Sequence, residues 1–184
     1  RGNADMLLKG MQGVLTSAGV PKPSYYGHVA LSMLQGSLLT WGKYYSVVKL
    51  NGESQGYAFI AFHFNDEIQQ LCGRDTTIHE TYDVLKRFND ELDINFSLRG
   101  LNGEYVVTRY GIDSHNNVFD YMAKLDFANP GNKVDVKSAL LYSVPTVEIY
   151  KENATRELGL NISFHGAAAQ FVVVSKVMKE VTSE

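Results

Sequence analysis

Strict alternation of apolar and polar residues marks several segments of the chain and predicts β-strands there. In residues 92–98 every second side chain is apolar, and this period of two places those side chains on one buried face of a strand. Residues 158–164 alternate in the same manner, while residues 170–174 form a nearly continuous apolar run that is typical of a central strand. The side chains predicted to face the interior from residues 92–98 are Leu92, Ile94, Phe96 and Leu98.

Turn residues between the strand-like segments indicate how the strands follow one another. Asn102-Gly103 comes directly after the first alternating segment and predicts a hairpin with the β-rich residues that follow it; Asn51-Gly52 has a similar position earlier in the chain. The predicted strands are residues 45–50, 56–64, 92–98, 104–110, 148–150, 158–164 and 169–177. Strands this short and this frequent favour a mostly β fold, an antiparallel β-sandwich with a few short helices.

The clearest helix signal lies in residues 25–35, where apolar side chains recur at a spacing of four. Residues 21–23, a lysine between two prolines, predict a stiff extended connector before it. Ser24 is then a suitable N-cap, and Gly36 predicts the C-terminal end of the helix.

Shorter elements are predicted elsewhere. Asn116 or Asn117 can cap a helix that carries apolar residues on one face and ends before Pro130-Gly131, and residues 134–142 can form another. Residues 11–15 predict a short strand closed by a turn at Ala18-Gly19.

One stretch, residues 65–91, admits two interpretations. It contains either a helix from Thr76 to Leu92, or a loop followed by a strand from Thr81 to Leu85.

Charge and composition limit the classes of partner that we expect. The 184 residues carry a formal net charge of −3 and show no basic stripe, so this segment is expected to contact no nucleic acid. No apolar run approaches the roughly 20 residues that span a membrane. The single cysteine, Cys72, cannot form an internal disulfide, and no signal-peptide pattern follows Arg1, so we expect a cytoplasmic fragment of a longer chain.

No residue pattern predicts catalysis. None of the five histidines pairs with another histidine or with Cys72 at a metal-ligand spacing, so neither a metal nor a cofactor is expected. Glycosidic cleavage needs two opposed carboxylates about 5–10 Å apart. The acidic residues considered lie in predicted turns or on the polar side of strands, where solvated carboxylates usually occur; they are Asp66, Glu67, Asp93, Glu104 and Asp113. We therefore predict no catalytic residue.

An aromatic cluster, Trp41, Tyr44 and Tyr45, has two interpretations. Exposed aromatic rings can stack on the apolar faces of sugars, which would make the cluster a carbohydrate contact. Alternatively, the rings fill a junction between helix and strand, and packing is the interpretation we favour.

Two motifs resemble the C-terminal region of glycoside hydrolase family 39. Residues 21–34 resemble the family's "KKPsYyA…fLs.L" helix, and residues 103–121 resemble its "Y.v.ry.iD..hsN.y..W" segment, although Tyr121 or Met122 stands where the family often has tryptophan. Residues 10–15 resemble its "F.GG.GL" strand with departures at Met11 and Gln12, and Val144-Pro145 gives a further match. The positions matching the helix motif are Lys22, Pro23, Tyr25, Tyr26, Leu31 and Leu34.

The resemblance implies a domain organisation and a role. Residues 1–36 would be the last strand and helix of a (β/α)₈ barrel, and residues 37–184 a non-catalytic β-sandwich that supports the barrel. The parent would act on β-xylosides, with both catalytic carboxylates on the barrel and none in this chain. The region is also similar to part of AraC-type transcription regulators, which implies a sugar-sensing or assembly role instead. A free-standing carbohydrate-binding module is a third possibility.

Overall fold

The computed structural model describes residues 13–16, 18–52, 56–71, 77–125 and 135–178, and these form one antiparallel sheet of six strands with five short helices around it. The strands lie in the order β1-β2-β3-β6-β4-β5. They are β1 (Gly36–Gly42), β2 (Tyr45–Leu50), β3 (Gly56–His63), β4 (Glu91–Asp113), β5 (Thr146–His165) and β6 (Ala168–Lys176). The mostly β, antiparallel fold class predicted from the sequence is confirmed.

The sheet folds over itself because two of its strands are unusually long. Residues 105–113 of β4 pair with β6, whereas residues 91–101 pair only with β5 among the described strands. This free half of the β4–β5 hairpin packs on the rest of the sheet, and Phe96 places its ring 4.9 Å from Phe59 of β3 and 5.1 Å from Tyr45 of β2. The chain therefore forms a sandwich whose second layer is the end of one hairpin.

Side chains of both layers form the main core. We call the sheet surface that contributes them the inner face. The fully buried members include Phe59, Tyr105, Val107, Ile162, Val172 and Val174. Leu92, Ile94, Phe96 and Leu98 pack against this core while remaining half-buried, so the predicted facing of residues 92–98 is confirmed.

The predicted hairpin at Asn102-Gly103 is wrong. Both residues lie inside the continuous strand β4, opposite Thr155 and Ala154 of β5. Gly100 and Gly103 have φ angles of +78° and +102°, and the pairing register shifts between Arg99 and Leu101. The glycines thus bend β4 at a bulge instead of reversing its direction.

Most of the other predicted strands are present. β2 and β3 form the expected antiparallel pair around Asn51-Gly52, and β6 begins and ends within one residue of its prediction. Residues 148–150 and 158–164 are parts of the single strand β5, not separate strands. Strand β1 was not predicted. Gly36 was assigned as the end of the first helix, but it is the first residue of β1.

The first helix, α1, spans Pro23–Met33, two residues earlier than predicted. Its N-cap is Lys22, not Ser24, because Pro23 occupies the first helical position, where a missing N–H costs nothing. It ends three residues before Gly36.

Capping side chains define the later helices. Residues 65–91, for which two interpretations were open, contain two helices, α2 (Asp66–Leu71) and α3 (Ile78–Arg87). Thr77 caps α3: its Oγ1 accepts a hydrogen bond from the Glu80 N–H at 3.1 Å. Asn117 caps α4 (Val118–Lys124), as predicted, and Asp135 caps α5 (Val136–Tyr142). Cys72 and Pro130-Gly131 lie outside the described residues.

A second small core joins the helices to the N-terminal segment. Val20, Val118, Met122 and Ala139 are buried together there. The Ala18-Gly19 turn is present, with the Gly19 N–H donating to Thr16 O at 3.0 Å, and Leu15 forms an isolated bridge with Pro21.

Within the described part of the chain, no helix has the length and apolar character needed to cross a membrane.

Candidate functional site: an apolar groove on the outer face of the sheet

The surface of the sheet opposite the inner face, which we call the outer face, is also apolar. Strand register places Ile60 of β3, Phe171 of β6, Tyr110 of β4 and Val147 of β5 in one row across the sheet. The rings of Tyr110 and Phe171 stack with their centroids 6.1 Å apart. Strands with apolar side chains on both faces are normally covered on both sides.

A second row runs parallel to the first, two residues along each strand. It joins Val48, Ala58 and Val173 across β2, β3 and β6, and ends at Ile149 of β5 beside Thr108. Ala58 is fully buried and Val48 is nearly so. The two rows together form a mainly apolar surface from one edge of the sheet to the other, interrupted by Ser46 in the first row and Thr108 in the second.

Helix α1 covers the centre of this surface. Ala30 is buried against Ala58 and Phe171, and Leu34 packs beside them. Between α1, the sheet and the segment before β5 lies a groove of about 690 Å³, which we call the α1 groove. Its lining includes Tyr26, Met33, Ile60, Tyr110, Phe171 and Pro145. Burial, together with the neighbouring Tyr25, raises the pKa of the Tyr26 hydroxyl.

The ends of both rows remain exposed. Trp41 and Leu38 of β1 are 71% and 56% exposed, and Val147 and Ile149 of β5 are 56% and 66% exposed. Apolar side chains are thus presented to solvent on each side of α1. A contiguous apolar patch of this kind usually marks a contact surface.

The predicted aromatic cluster does not form one surface. Tyr44 packs edge-on against Phe64, with ring centroids 5.7 Å apart, and Tyr45 faces Phe96 in the inner core. Trp41 alone of the three projects from the outer face, because it pairs with Ser46, which in turn pairs with Ile60. Packing is therefore the role of Tyr44 and Tyr45, whereas Trp41 belongs to the exposed apolar surface.

The predicted solvated carboxylates occupy the outside of the fold. Asp66 and Glu67 form the first turn of α2 instead of a loop turn, and Asp93 accepts a hydrogen bond from the Ser163 hydroxyl at 2.5 Å. Glu104 pairs with Lys151 at 3.2 Å. These positions give each of these four carboxylates a neighbouring donor or contact with solvent.

Sequence reasoning missed the buried carboxylate of Asp120, whose side chain is only 3% exposed. Its Oδ1 lies 2.9 Å from Lys86 Nζ, and its Oδ2 lies 3.0 Å from Lys124 Nζ and accepts from the Tyr142 hydroxyl at 2.7 Å. Burial opposes ionisation of Asp120, but the hydrogen bonds from Lys86, Tyr142 and Lys124 together outweigh it and hold its pKa below the ordinary value. The Asp120 network therefore joins α3, α4 and α5 as a paired charge.

The histidines show no shared site. His63 is buried between Phe88 and Phe164, with Nδ1 3.0 Å from Gly166 O, and His115 Nδ1 lies 2.6 Å from Lys86 Nζ. Among the described residues, no three His, Cys, Asp or Glu side chains come together as a possible metal site.

Comparison with known proteins gives a fold but no family assignment. No protein-family model matches the chain, and no curated protein matches it either. Among solved structures, a monomeric β-xylosidase from Caulobacter crescentus CB15 superposes with a TM-score of 0.67 at 13% identity, covering 95% of this chain. A GH39 enzyme from Xanthomonas axonopodis pv. citri superposes with a TM-score of 0.61 at 10% identity, covering 86% of this chain.

The chain spans only 34% of the length of the Caulobacter protein and 31% of the length of the Xanthomonas protein. Identities this low describe architecture alone. The chain therefore has the fold of about one third of a family 39-type enzyme.

Proposed function

We propose that this chain is a non-catalytic C-terminal region of a glycoside hydrolase family 39-like protein and that its outer face packs against the barrel of the same protein. The observation that carries the proposal is the exposure of Trp41, Leu38, Val147 and Ile149 at the ends of two apolar rows whose centres are covered by α1. A face covered in its middle and open at its sides is the expected surface of a domain that abuts a larger neighbour.

The domain boundaries belong to the same proposal. Residues 1–36 are the last elements of the barrel, and residues 37–184 are the sandwich. The position of α1 supports this division, because Ala30 and Leu34 already contact the outer face from outside the sandwich. The lengths of the two solved structures also leave about two thirds of each protein outside the matched region.

The chemistry of this chain supports a role without bond cleavage. The partners of the buried carboxylate, Asp120, are two amines and two phenols. Cleavage of a glycosidic bond would instead need a second carboxyl group facing it across a substrate. We therefore assign hydrolysis of β-xylosides to the barrel of the parent, in the cytoplasm, where a fold without an internal disulfide is stable.

The first test is the sequence that precedes Arg1 in the parent gene. An intact barrel with its pair of glutamates supports a glycosidase, whereas a helix-turn-helix in that region would make the parent an AraC-type regulator and would overturn the enzymatic assignment. Neither result depends on how the outer face packs.

The docking itself is tested in the full-length parent with Val147→Asp and Ile149→Asp. Both side chains are exposed here, so neither change disturbs the sandwich core. A charge buried at an apolar interface costs roughly 3 kcal/mol or more, which should weaken the contact between barrel and sandwich. We therefore expect calorimetry to resolve two separate unfolding transitions, one for each domain. The matched control, Asn95→Asp, adds the same charge on the exposed side of the hairpin. Unchanged cooperative unfolding in both outer-face variants would contradict the proposal.

A further inference from the structure

A polar cleft opens between the two layers of the sandwich, at a place where the hairpin layer leaves the inner face uncovered. The cleft has a volume of about 360 Å³, which lies in the range of about 300–1,000 Å³ found for small-molecule sites. It is lined by Arg109, Gly111, Thr146, Val147, Glu148, Asn161, Ser163 and Gln170. We call it the side cleft. It shares only Val147 and Gln170 with the lining of the α1 groove.

Strand register explains why the polar groups converge there. Gly111 of β4 pairs with Gln170 of β6 on one side and with Thr146 of β5 on the other. Arg109 pairs with Glu148 one step further along the inner face. Two residues beyond Arg109 and Gln170, the same face carries the fully buried Val107 and Val172. The inner face thus changes from apolar to polar where the second layer ends.

The side chains are held in place by neighbours that leave much of their hydrogen-bonding capacity open. Arg109 donates from Nη2 and Nε to the Tyr150 hydroxyl at 2.8 and 3.2 Å, and its guanidinium lies 5.5 Å from the Tyr150 ring centroid. Gln170 Nε2 donates to Ser163 O at 2.9 Å, which leaves its amide oxygen as an acceptor at the cleft. The arginine and glutamine are therefore oriented before any ligand arrives.

The charges in the cleft select against ions. Glu148 Oε2 lies 3.8 Å from Arg109 Nε, so one positive and one negative group face the same space. An anion would be repelled by Glu148 and a cation by Arg109, whereas a hydroxyl group can accept from one and donate to the other. Three more side chains contribute acceptor oxygens, because their donors are already engaged: Asn161 Nδ2 donates to Asn95 Oδ1 at 2.9 Å, the Ser163 hydroxyl to Asp93 Oδ1 at 2.5 Å and the Thr146 hydroxyl to Gly111 O at 3.2 Å.

We propose that the side cleft binds a small, neutral, polyhydroxylated molecule of the size of one monosaccharide. Arg109 donates to its hydroxyl oxygens, while the carboxylate of Glu148 and the amide oxygen of Gln170 accept from adjacent hydroxyls. The proposal is independent of the docking of the outer face, because it concerns the inner face and needs no partner domain.

The experiment is an NMR titration of the ¹⁵N-labelled 184-residue chain with D-xylose, D-glucose and D-mannose. Each is taken to about 50 mM, a concentration that nearly fills a site with a Kd of a few millimolar. We expect at least one sugar to shift the amide signals of Gly111, Glu148 and Gln170 in a saturable manner. Glu148→Gln should weaken binding about tenfold, because it removes a charged acceptor from a bound hydroxyl.

The matched control is Glu152→Gln, the same change on the same strand outside the cleft, and it should leave the affinity within about twofold. Both glutamates are exposed, so both variants are expected to keep the melting temperature of the parent chain. The proposal is wrong if none of the sugars produces saturable shifts, if Glu148→Gln binds as tightly as Glu152→Gln, or if sulfate competes for the cleft, which would make it an anion site.

Discussion

At the scale of single residues, Asp120 shows how a buried carboxylate is tolerated. Its two oxygens form ion pairs with Lys86 and Lys124 and accept a hydrogen bond from Tyr142; these three residues belong to three different helices. Because the folded pKa of Asp120 lies below its unfolded value, the network stabilises the fold while the pH is above the unfolded pKa of about 3.9. That contribution is lost as the pH falls through the folded pKa.

Asp120→Asn should therefore lower the free energy of unfolding by about 1.5–3 kcal/mol at pH 7, the range for hydrogen bonds to charged groups. The deficit should shrink as the pH falls below about 4, because the unfolded carboxylate then takes up a proton, whereas the folded one stays ionised until the pH passes its own lower pKa. Urea unfolding followed at pH 7, 5 and 3 measures it. Lys124→Met is the control, because Lys124 is 60% exposed and its loss should cost no more than about 1 kcal/mol. A deficit that is constant with pH would contradict the assigned charge.

Phe96 is the residue that connects the hairpin layer to the sheet. Its ring lies within 5.1 Å of the rings of both Tyr45 and Phe59. Phe96→Ala should lower the free energy of unfolding by about 3 kcal/mol, toward the lower end of such changes because the side chain is half-buried. Asn95→Ala, on the exposed side of the same strand, should cost less than about 1 kcal/mol. Thermal or urea unfolding compares the two, and a loss below about 1 kcal/mol for Phe96→Ala would contradict its place in the core.

Prediction from the sequence succeeded for residues whose role depends only on their neighbours along the chain. Asn116 or Asn117 was predicted as a cap because an amide oxygen before a helix satisfies free N–H groups. Asn117 is the one that caps: its Oδ1 accepts from the Phe119 and Asp120 N–H groups at 2.8 and 3.2 Å. Asp120 could not be recognised in this way. Its burial depends on Lys86 and Tyr142, which are distant in sequence and come together only in the folded helices.

At the scale of elements, the bend of the β4–β5 hairpin creates the second layer. Gly100 and Gly103 in β4 and Arg156 in β5 all have positive φ angles, and Arg156 pairs with Leu101 beside the bulge. Asn-Gly between two alternating segments is the usual signal of a tight turn, so the local pattern predicted a reversal. Only the long-range pairing with residues 146–165 decides that β4 continues, and this pairing leaves no local trace in the sequence.

Two glycines of this hairpin provide a matched pair for testing the bend. An added Cβ at Gly100 or Gly159 would meet no atom within 4 Å, but only Gly100 has a positive φ, of +78°. Gly100→Ala should therefore lower the free energy of unfolding by about 1–2 kcal/mol through backbone strain alone. Gly159→Ala should be neutral or stabilising by up to about 1 kcal/mol, since alanine has less freedom to lose on folding. Equal effects in chemical denaturation would contradict the positive φ at Gly100.

At the scale of the whole molecule, the sheet carries apolar side chains on both faces. The described part of the chain buries the apolar part of the inner face but leaves the ends of the outer rows exposed. The apolar run of β6 already indicated a strand buried on two sides, with Val172 on the inner face and Phe171 and Val173 on the outer face. What the sequence did not indicate was the alignment of Trp41 and Val147 at opposite ends of one row, which arises from register across all six strands.

The same arrangement predicts that the chain hydrolyses no aryl β-xyloside by itself. The buried carboxylate of Asp120 is held ionised by Lys86, Tyr142 and Lys124 and so cannot act as the proton donor that glycosidic cleavage needs. Glu148 in the side cleft faces Arg109, whose guanidinium likewise favours the ionised form of a carboxyl group. Release of nitrophenol from p-nitrophenyl β-D-xyloside should stay at the rate of buffer alone. The full-length parent, assayed beside it, shows whether the substrate is suitable. Turnover by the purified chain that disappears in Asp120→Asn or Glu148→Gln would place catalysis in this region and remove the basis for a purely supporting role.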